Sequence, residues 1–344
     1  MNKPLLDVRN VTIAYPRWGG ILRHKIGEVK AVEDVSFTIQ EGETLGLVGE
    51  SGCGKTTLAK AIVNILKPTV PGIRQSGEIN FTTAAGPVNL LATSQSTMRP
   101  LRADIQIIFQ DPFSSLNPRH TVGTIIDAPL RIHAKQTARE RQKRVEWLLD
   151  RVGLQAEHAG RYPHEFSGGQ RQRIGIARAL AVNPRLIVAD EPVSALDVSV
   201  QAQVINLMQD LQEEFKLTYL FVAHDLSVVH HISTRIAVMY LGHIVEIGTS
   251  DQVYDTPVHP YSRALLSAVP HPDPRRSRPQ RTILEGDPPT PLAKPSGCPF
   301  RTRCPLARPT CADAMPPLEP KPPGQMAACP FSDDPLPSEI SAPK

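Results

Sequence analysis

Apolar and polar residues alternate from Leu5 to Ala14, and the pattern returns from Val35 to Ile39 ahead of a turn at Glu41, Gly42 and Glu43. This two-residue period predicts half-buried strands. A short apolar run, Leu45 to Val48, stops at Gly49, and a helical pattern follows from Lys55 to Leu66. From Ile105 to Pro184 the reading changes to helices, with Thr137–Val152 and Gly168–Ala181 the clearest, the latter with arginines on its polar side. Strand signals resume at Leu186–Ala189 and Tyr219–Ala223. The chain therefore reads as an α/β core interrupted by a helical block. Beyond about Ser250 proline becomes frequent, and His271–Arg281 (HPDPRRSRPQR) reads as an exposed connector. There is no internal repeat.

A length of 344 residues with 40% hydrophobic content can bury a sizeable core and suggests about two folding units. A formal charge of +4 without a long lysine or arginine block gives no reason to expect nucleic-acid binding. Apolar runs such as Leu186–Ala189 and Arg235–Tyr240 are far shorter than the roughly 20 residues of a membrane-spanning helix. Met1–Asn10 lacks the charged head, apolar core and cleavage site of a secretory signal. A cytoplasmic location is expected, from which the chain can still dock on a membrane protein.

The candidate chemistry lies in six motifs in one order: GESGCGKTT at 49–57, FQDP at 109–112, FSGGQRQR at 166–173, LIVADEP at 186–192, SALD at 194–197 and AHD at 223–225. Gly49, Glu50, Ser51, Gly52, Cys53, Gly54, Lys55 and Thr56 fit G-x-x-x-x-G-K-[ST]. Between a strand and a helix start, such a loop offers backbone N–H groups to phosphate. Lys55 would reach the β- and γ-phosphates, Thr56 would offer its hydroxyl to Mg²⁺, and Thr57 would touch the α-phosphate. A glycine-rich turn without ligand is the bland alternative. Cys53 fills a variable slot and reads as a small tolerated side chain rather than a redox centre.

Asp190 and Glu191 end an apolar strand, which places them at the carboxyl edge of a parallel sheet. Asp190 would hold Mg²⁺ largely through water, and Glu191 would polarise the attacking water; alternatively Glu191 is only a helix-start charge. His224 follows another strand and would contact the γ-phosphate and Glu191. Gln110, at the junction of core and helical block, can reach Mg²⁺ or the water through its amide, or is a surface glutamine. Ser167, Gly168, Gly169 and Gln170 form a second glycine-rich helix start. One chain has one phosphate loop, so this second site is read as facing the γ-phosphate of another subunit, with Asp197 on the seam.

These motifs resemble those of the ATP-binding-cassette family over roughly Leu5–Val253, with SGGQ between a phosphate loop and an Asp-Glu strand end as the specific mark. The resemblance implies a P-loop, RecA-like ATPase core with an antiparallel β subdomain and a helical subdomain. It divides the chain into a nucleotide-binding domain at 1–256, its helical subdomain at about 110–183, and a C-terminal extension at 257–344. It also implies ATP and Mg²⁺, with Tyr15 as the aromatic that stacks on adenine and Pro16–Lys30 as an insertion between strands.

FQDPFSSLNPR at 109–119 and VHPYSRALLSAVP at 258–270 further resemble the ATPase subunits of bacterial oligopeptide and dipeptide importers, and the N-terminal insertion resembles the second, F-type, ATPase of the pair. That likeness implies a sister ATPase in a heterodimer, two membrane permeases, an external binding protein, and a place on the cytoplasmic face of the membrane. Nickel and glutathione importers of the same branch are close rivals. A soluble cassette ATPase acting on ribosomes or nucleic acid is a distant one.

Cys298, Cys304, Cys311 and Cys329 follow C-x5-C-x6-C-x17-C. Two disulfides suit a cytosolic protein poorly, and zinc favours tighter pairs. The importer resemblance implies a [4Fe-4S] cluster on these four, in the GCPFRTRCP and ACP segments, although Gln325 and Pro330 stand where relatives often carry histidines. Unliganded thiols are the alternative.

Overall fold

The computed structural model describes residues 3–19, 24–268, 284, 286–287 and 289–336; the connector expected at His271–Arg281 lies outside them. Twelve strands are present among these residues. In chain order they are β1 (Leu6–Gly19), β2 (His24–Ile39), β3 (Thr44–Val48), β4 (Arg74–Thr83), β5 (Gly86–Asn89) and β6 (Ile105–Ile108). Then come β7 (Leu186–Asp190), β8 (Thr218–Ala223), β9 (Arg235–Tyr240), β10 (His243–Thr249), β11 (Glu319–Lys321) and β12 (Gln325–Ala327). They form a four-stranded antiparallel sheet, β2-β1-β4-β5, and an eight-stranded sheet, β11-β12-β10-β9-β3-β8-β7-β6. In the larger sheet the run from β9 to β6 is parallel.

The central strands β3, β7 and β8 are buried at every position. This is why they read as continuous apolar runs: a parallel sheet is covered on both faces. Their residues still divide by the strand period. Ile187, Ala189, Tyr219 and Phe221 pack with Val122, Leu148 and Ile174 of the helical block. Leu186, Val188, Leu220 and Val222 pack with the antiparallel sheet and with Leu58 and Ile62 of the helix Lys55–Ile62. One sheet thus separates two apolar cores.

Three sequence expectations change. Ile105–Ile108 belongs to the sheet and not to the helical block, since β6 pairs with β7 along its whole length and a four-residue strand is too short to show a period. The described residues of the Pro16–Lys30 insertion, 16–19 and 24–30, continue the β1–β2 ladder, with Tyr15 opposite Val29 and Arg17 opposite Gly27. The helix expected to reach Leu66 ends at Ile62, because Asn64 takes a left-handed conformation (φ 51°) and its amide donates to Leu90 O at 2.7 Å. A separate short helix spans Leu66–Thr69.

The helices Val122–His133, Ala138–Arg151 and Gly168–Leu180 form the block between β6 and β7. Thr137 and Glu140 close a reciprocal capping box at the start of the second. The proline-rich tail enters the sheet itself. β12 pairs antiparallel with β10, matching Ala327 to Glu246 and Met326 to Ile247, and β11 pairs with β12. Phe300 is fully buried against Tyr240 and Tyr261, with ring centroids 5.2 and 5.3 Å away.

Candidate functional site

Four of the six motifs follow the carboxyl ends of adjacent parallel strands. Val48 pairs with Ala223, Asp190 with Val222, and Ile108 with Ala189, so β3, β8, β7 and β6 end nearly level. The next residues along the chain are the phosphate loop, His224, Glu191 and the segment holding Gln110. Register alone gathers them at one sheet edge, where open α/β sheets bind ligands.

Gly54 occupies the N-cap of the helix Lys55–Ile62 in a left-handed conformation (φ 113°), and a Cβ there would stand 2.3 Å from Ala31 O. Only glycine fits. The helix start has no side-chain cap and no acidic residue in its first turn, which leaves its N–H groups and dipole open to an anion. Lys55 is buried, and its ammonium donates to Gly49 O at 2.7 Å and Glu50 O at 3.1 Å. Burial pushes the Cys53 thiol up, and Lys55 Nζ lies 3.9 Å from its sulfur. Ser51, Gly52 and the rest of the loop cross the sheet edge between β3 and this helix. Tyr15 Oη is 3.3 Å from Thr57 Oγ1, which brings the aromatic of β1 against the same helix start.

Thr56 Oγ1 donates to Asp190 Oδ1 at 3.0 Å. Asp190 is only 2% exposed, and burial raises its carboxyl above the ordinary value while the Thr56 hydroxyl lowers it. A hydroxyl and a buried carboxylate, both hard oxygen donors, fit Mg²⁺. Beside them, Glu191 Oε2 accepts from Gln110 Nε2 at 2.9 Å and lies 3.6 Å from His224 Nδ1. Glu191 has a positive φ of 48°, a costly conformation for a non-glycine residue, held by Glu191 N donating to Val222 O at 2.9 Å.

Ser167 caps the helix Gly168–Leu180 in a reciprocal box with Gln170, and that helix also starts without an acidic residue. A Cβ on Gly169 would stand 2.4 Å from Val200 Cγ1, so the glycine permits close packing on the helix Val198–Phe215. Asp197 is the N-cap of the latter but makes no side-chain cap bond, and Val198 beside it is 82% exposed.

Residues 32–194 match the family model described as ABC transporter, and residues 245–311 match that of the oligopeptide/dipeptide transporter C-terminal region. The oligopeptide transport ATP-binding protein AppF of Bacillus subtilis is 52% identical over 326 residues, covering 94% of this chain and 96% of that protein. The chain belongs to the ABC transporter family. Another relative, the oligopeptide transport ATP-binding protein OppF of Escherichia coli K12, is 55% identical over 294 residues, 85% of each chain. Among solved structures, the ATP-binding cassette MJ0796, dimeric in a post-hydrolysis state with ADP and Pi, superposes with a TM-score of 0.61 at 30% identity, covering 71% of this chain and 98% of that one. This cassette protein is an ATPase with the α/β core, antiparallel sheet and helical parts of its family. Membership implies membrane permeases and a paired ATPase as partners. No helix among the described residues is long and apolar enough to cross a membrane.

The iron–sulfur expectation is not supported. Among the described residues no group of three or more His, Cys, Asp or Glu side chains is gathered as a metal site. Cys298, Cys304, Cys311 and Cys329 are free thiols. Burial pushes Cys304 up to about 12 and Cys329 up to about 11, and the neighbouring cysteines push in the same direction. Burial likewise pushes the Cys298 thiol up. Gln325 donates to the buried Glu246 at 3.0 Å.

Sequence reasoning missed two residues at the site. Tyr261 Oη accepts from Glu50 N at 3.0 Å, and Arg303 forms a forked ion pair with the Glu50 carboxylate at 2.8 and 3.2 Å. Tyr261 lies within VHPYSRALLSAVP and Arg303 within GCPFRTRCP, but neither segment carries a spacing signal toward the phosphate loop.

Proposed function

We propose that this cassette hydrolyses MgATP between two ATPase subunits and that closure of that interface drives peptide import through membrane permeases. The observation that carries the reading is the convergence of Thr56 with Asp190, and of Gln110 and His224 on Glu191, at one sheet edge. Lys55 and the loop N–H groups hold the phosphates, and Tyr15 packs against adenine. Thr56, Asp190 and Gln110 hold Mg²⁺, which neutralises phosphate charge when bound. Glu191 orients the water and accepts its proton as the water attacks the γ-phosphorus and the bond to the bridging oxygen breaks. His224 steadies the γ-phosphate and the Glu191 carboxylate.

The helix start Ser167–Gln170 completes the site of the other subunit across the seam at Asp197. The uncapped Asp197 and exposed Val198 suit such an interface. The other subunit is a sister ATPase, so the pair is a heterodimer. Two permeases and an external binding protein complete the importer on the cytoplasmic face of the membrane. We assign 1–256 to the nucleotide-binding domain, with helices at about 110–183, and 257–344 to the extension.

Cells carrying either the native chain or Glu191→Gln are compared for uptake of a labelled dipeptide, a longer peptide, glutathione and Ni²⁺. Loss of peptide uptake alone supports the proposal. Selective loss of glutathione or Ni²⁺ uptake reassigns the cargo. No loss of any, with ATPase abolished, rejects an importer of these cargoes. The [4Fe-4S] proposal for the four tail cysteines rests on their number and on the importer resemblance, and not on a gathered site. Iron and acid-labile sulfide at fewer than about one cluster per several chains after anaerobic purification rejects it.

A further inference from the structure

The second position of the phosphate loop carries a carboxylate, Glu50, which the G-x-x-x-x-G-K-[ST] pattern does not require. A carboxylate in a loop that receives polyphosphate opposes binding unless its charge is met. It is met from a distance of 253 residues. Arg303 Nη1 lies 2.8 Å from Glu50 Oε2 and Nη2 lies 3.2 Å from Oε1, the parallel fork in which guanidinium and carboxylate pair most strongly. The Arg303 side chain is 8% exposed and that of Glu50 27%, so solvent screens the pair only partly.

The arginine has a firm base. Arg303 N donates to Phe300 O at 3.0 Å, and Phe300 is fully buried in the aromatic cluster with Tyr240 and Tyr261. Tyr261 itself accepts from Glu50 N at 3.0 Å. Both the side chain and the backbone N–H of Glu50 are therefore held by residues C-terminal to the cassette motifs.

We propose that Arg303 is a positioning residue of the nucleotide site: it neutralises Glu50 and fixes the first turn of the phosphate loop, so that the tail completes the site for ATP. The inference rests on reading Gly49–Thr57 as the phosphate loop. It makes the tail part of the ATPase machinery rather than an appendage.

The test is binding of a fluorescent ATP analogue to the full-length chain at low and high salt. Arg303→Ala raises Kd about tenfold at low salt, because Glu50 is left unpaired beside the phosphates, and less at high salt. Arg303→Lys keeps the charge but loses the fork, so its Kd falls between those of the native chain and Arg303→Ala. The deciding variant is Glu50→Gln with Arg303→Ala. Removing both charges restores Kd to within about threefold, which loss of tail packing would not allow. Native affinity in Arg303→Ala, or a double variant as weak as the single, overturns the proposal. Should Arg303→Ala lose its cooperative melting transition, Arg303→Gln replaces it in both arms. Lys55→Ala serves as control: if it binds nucleotide as the native chain does, the phosphate-loop reading fails, and not the role of Arg303 alone.

Discussion

Gln110 Nε2 donates to Glu191 Oε2 across 2.9 Å, although 81 positions separate the two residues. The bond joins the end of β6 to the end of β7, and Gln110 is also where the chain leaves the sheet for the helical block. A shift of that block moves the amide relative to the carboxylate. Gln110→Ala is expected to lower kcat about tenfold while leaving the Kd for metal-free ATP within about twofold, since it removes an orienting contact and a Mg²⁺ contact but no phosphate ligand. Steady-state ATPase assays with nucleotide titration decide it. An equal rise in Kd would place Gln110 in binding instead.

Glu191 itself is held by its backbone in a strained conformation, with the carboxylate directed to the point where Gln110 and His224 meet. Glu191→Gln keeps the shape but cannot take a proton. Hydrolysis should fall at least about a hundredfold with ATP affinity preserved. Undiminished turnover would remove Glu191 from the role of base.

The central strands and the motif positions were legible because each is a local property. Apolar runs mark β3, β7 and β8, and the phosphate loop, the Asp190-Glu191 pair and His224 sit where those runs stop. β6 was not legible, since four residues cannot display a period and only its pairing with β7 makes it a strand. The pairs Gln110–Glu191 and Thr56–Asp190 follow from the level ends of four strands, a matter of register that a single chain of letters does not carry. Arg303 was missed for the same reason: its partner Glu50 is close only after the tail has docked on β10.

Gly169 offers a steric test of the helix start at Ser167. A Cβ at this position meets Val200 Cγ1 at 2.4 Å, far inside contact distance. Gly169→Ala should cost about 1–3 kcal/mol of stability, as overpacking does. Adding Val200→Ala should recover most of it by clearing the space. Thermal melts of the two variants check this, and an equally unstable double variant would show that Gly169 is required for another reason.

Two buried histidines predict the response to acid. Burial, aided by the Arg263 charge, pushes His259 down to about 3, and burial, aided by Lys294, pushes His243 down to about 4. Glu33, 3.6 Å from His243, and Asp34 oppose that second shift. Both values lie below the ordinary 6.5, so between them and about pH 6.5 the unfolded chain binds more protons than the folded one. The stability they confer is complete above about pH 6.5 and is lost as pH falls through about 4 and then about 3. The slope is at most about 1.4 kcal/mol per pH unit for each histidine. Glu246, whose carboxyl burial pushes up, accepts a proton more readily when folded and offsets part of the loss. His259 Nδ1 accepts from Tyr261 N at 3.1 Å, a capping role that asparagine can fill without titrating. His259→Asn should therefore flatten the fall of Tm between about pH 6.5 and about 4 while keeping the helix Pro260–Ser267. A native and a variant curve that run parallel through that interval would show that protonation of His259 does not contribute to the loss of stability in acid.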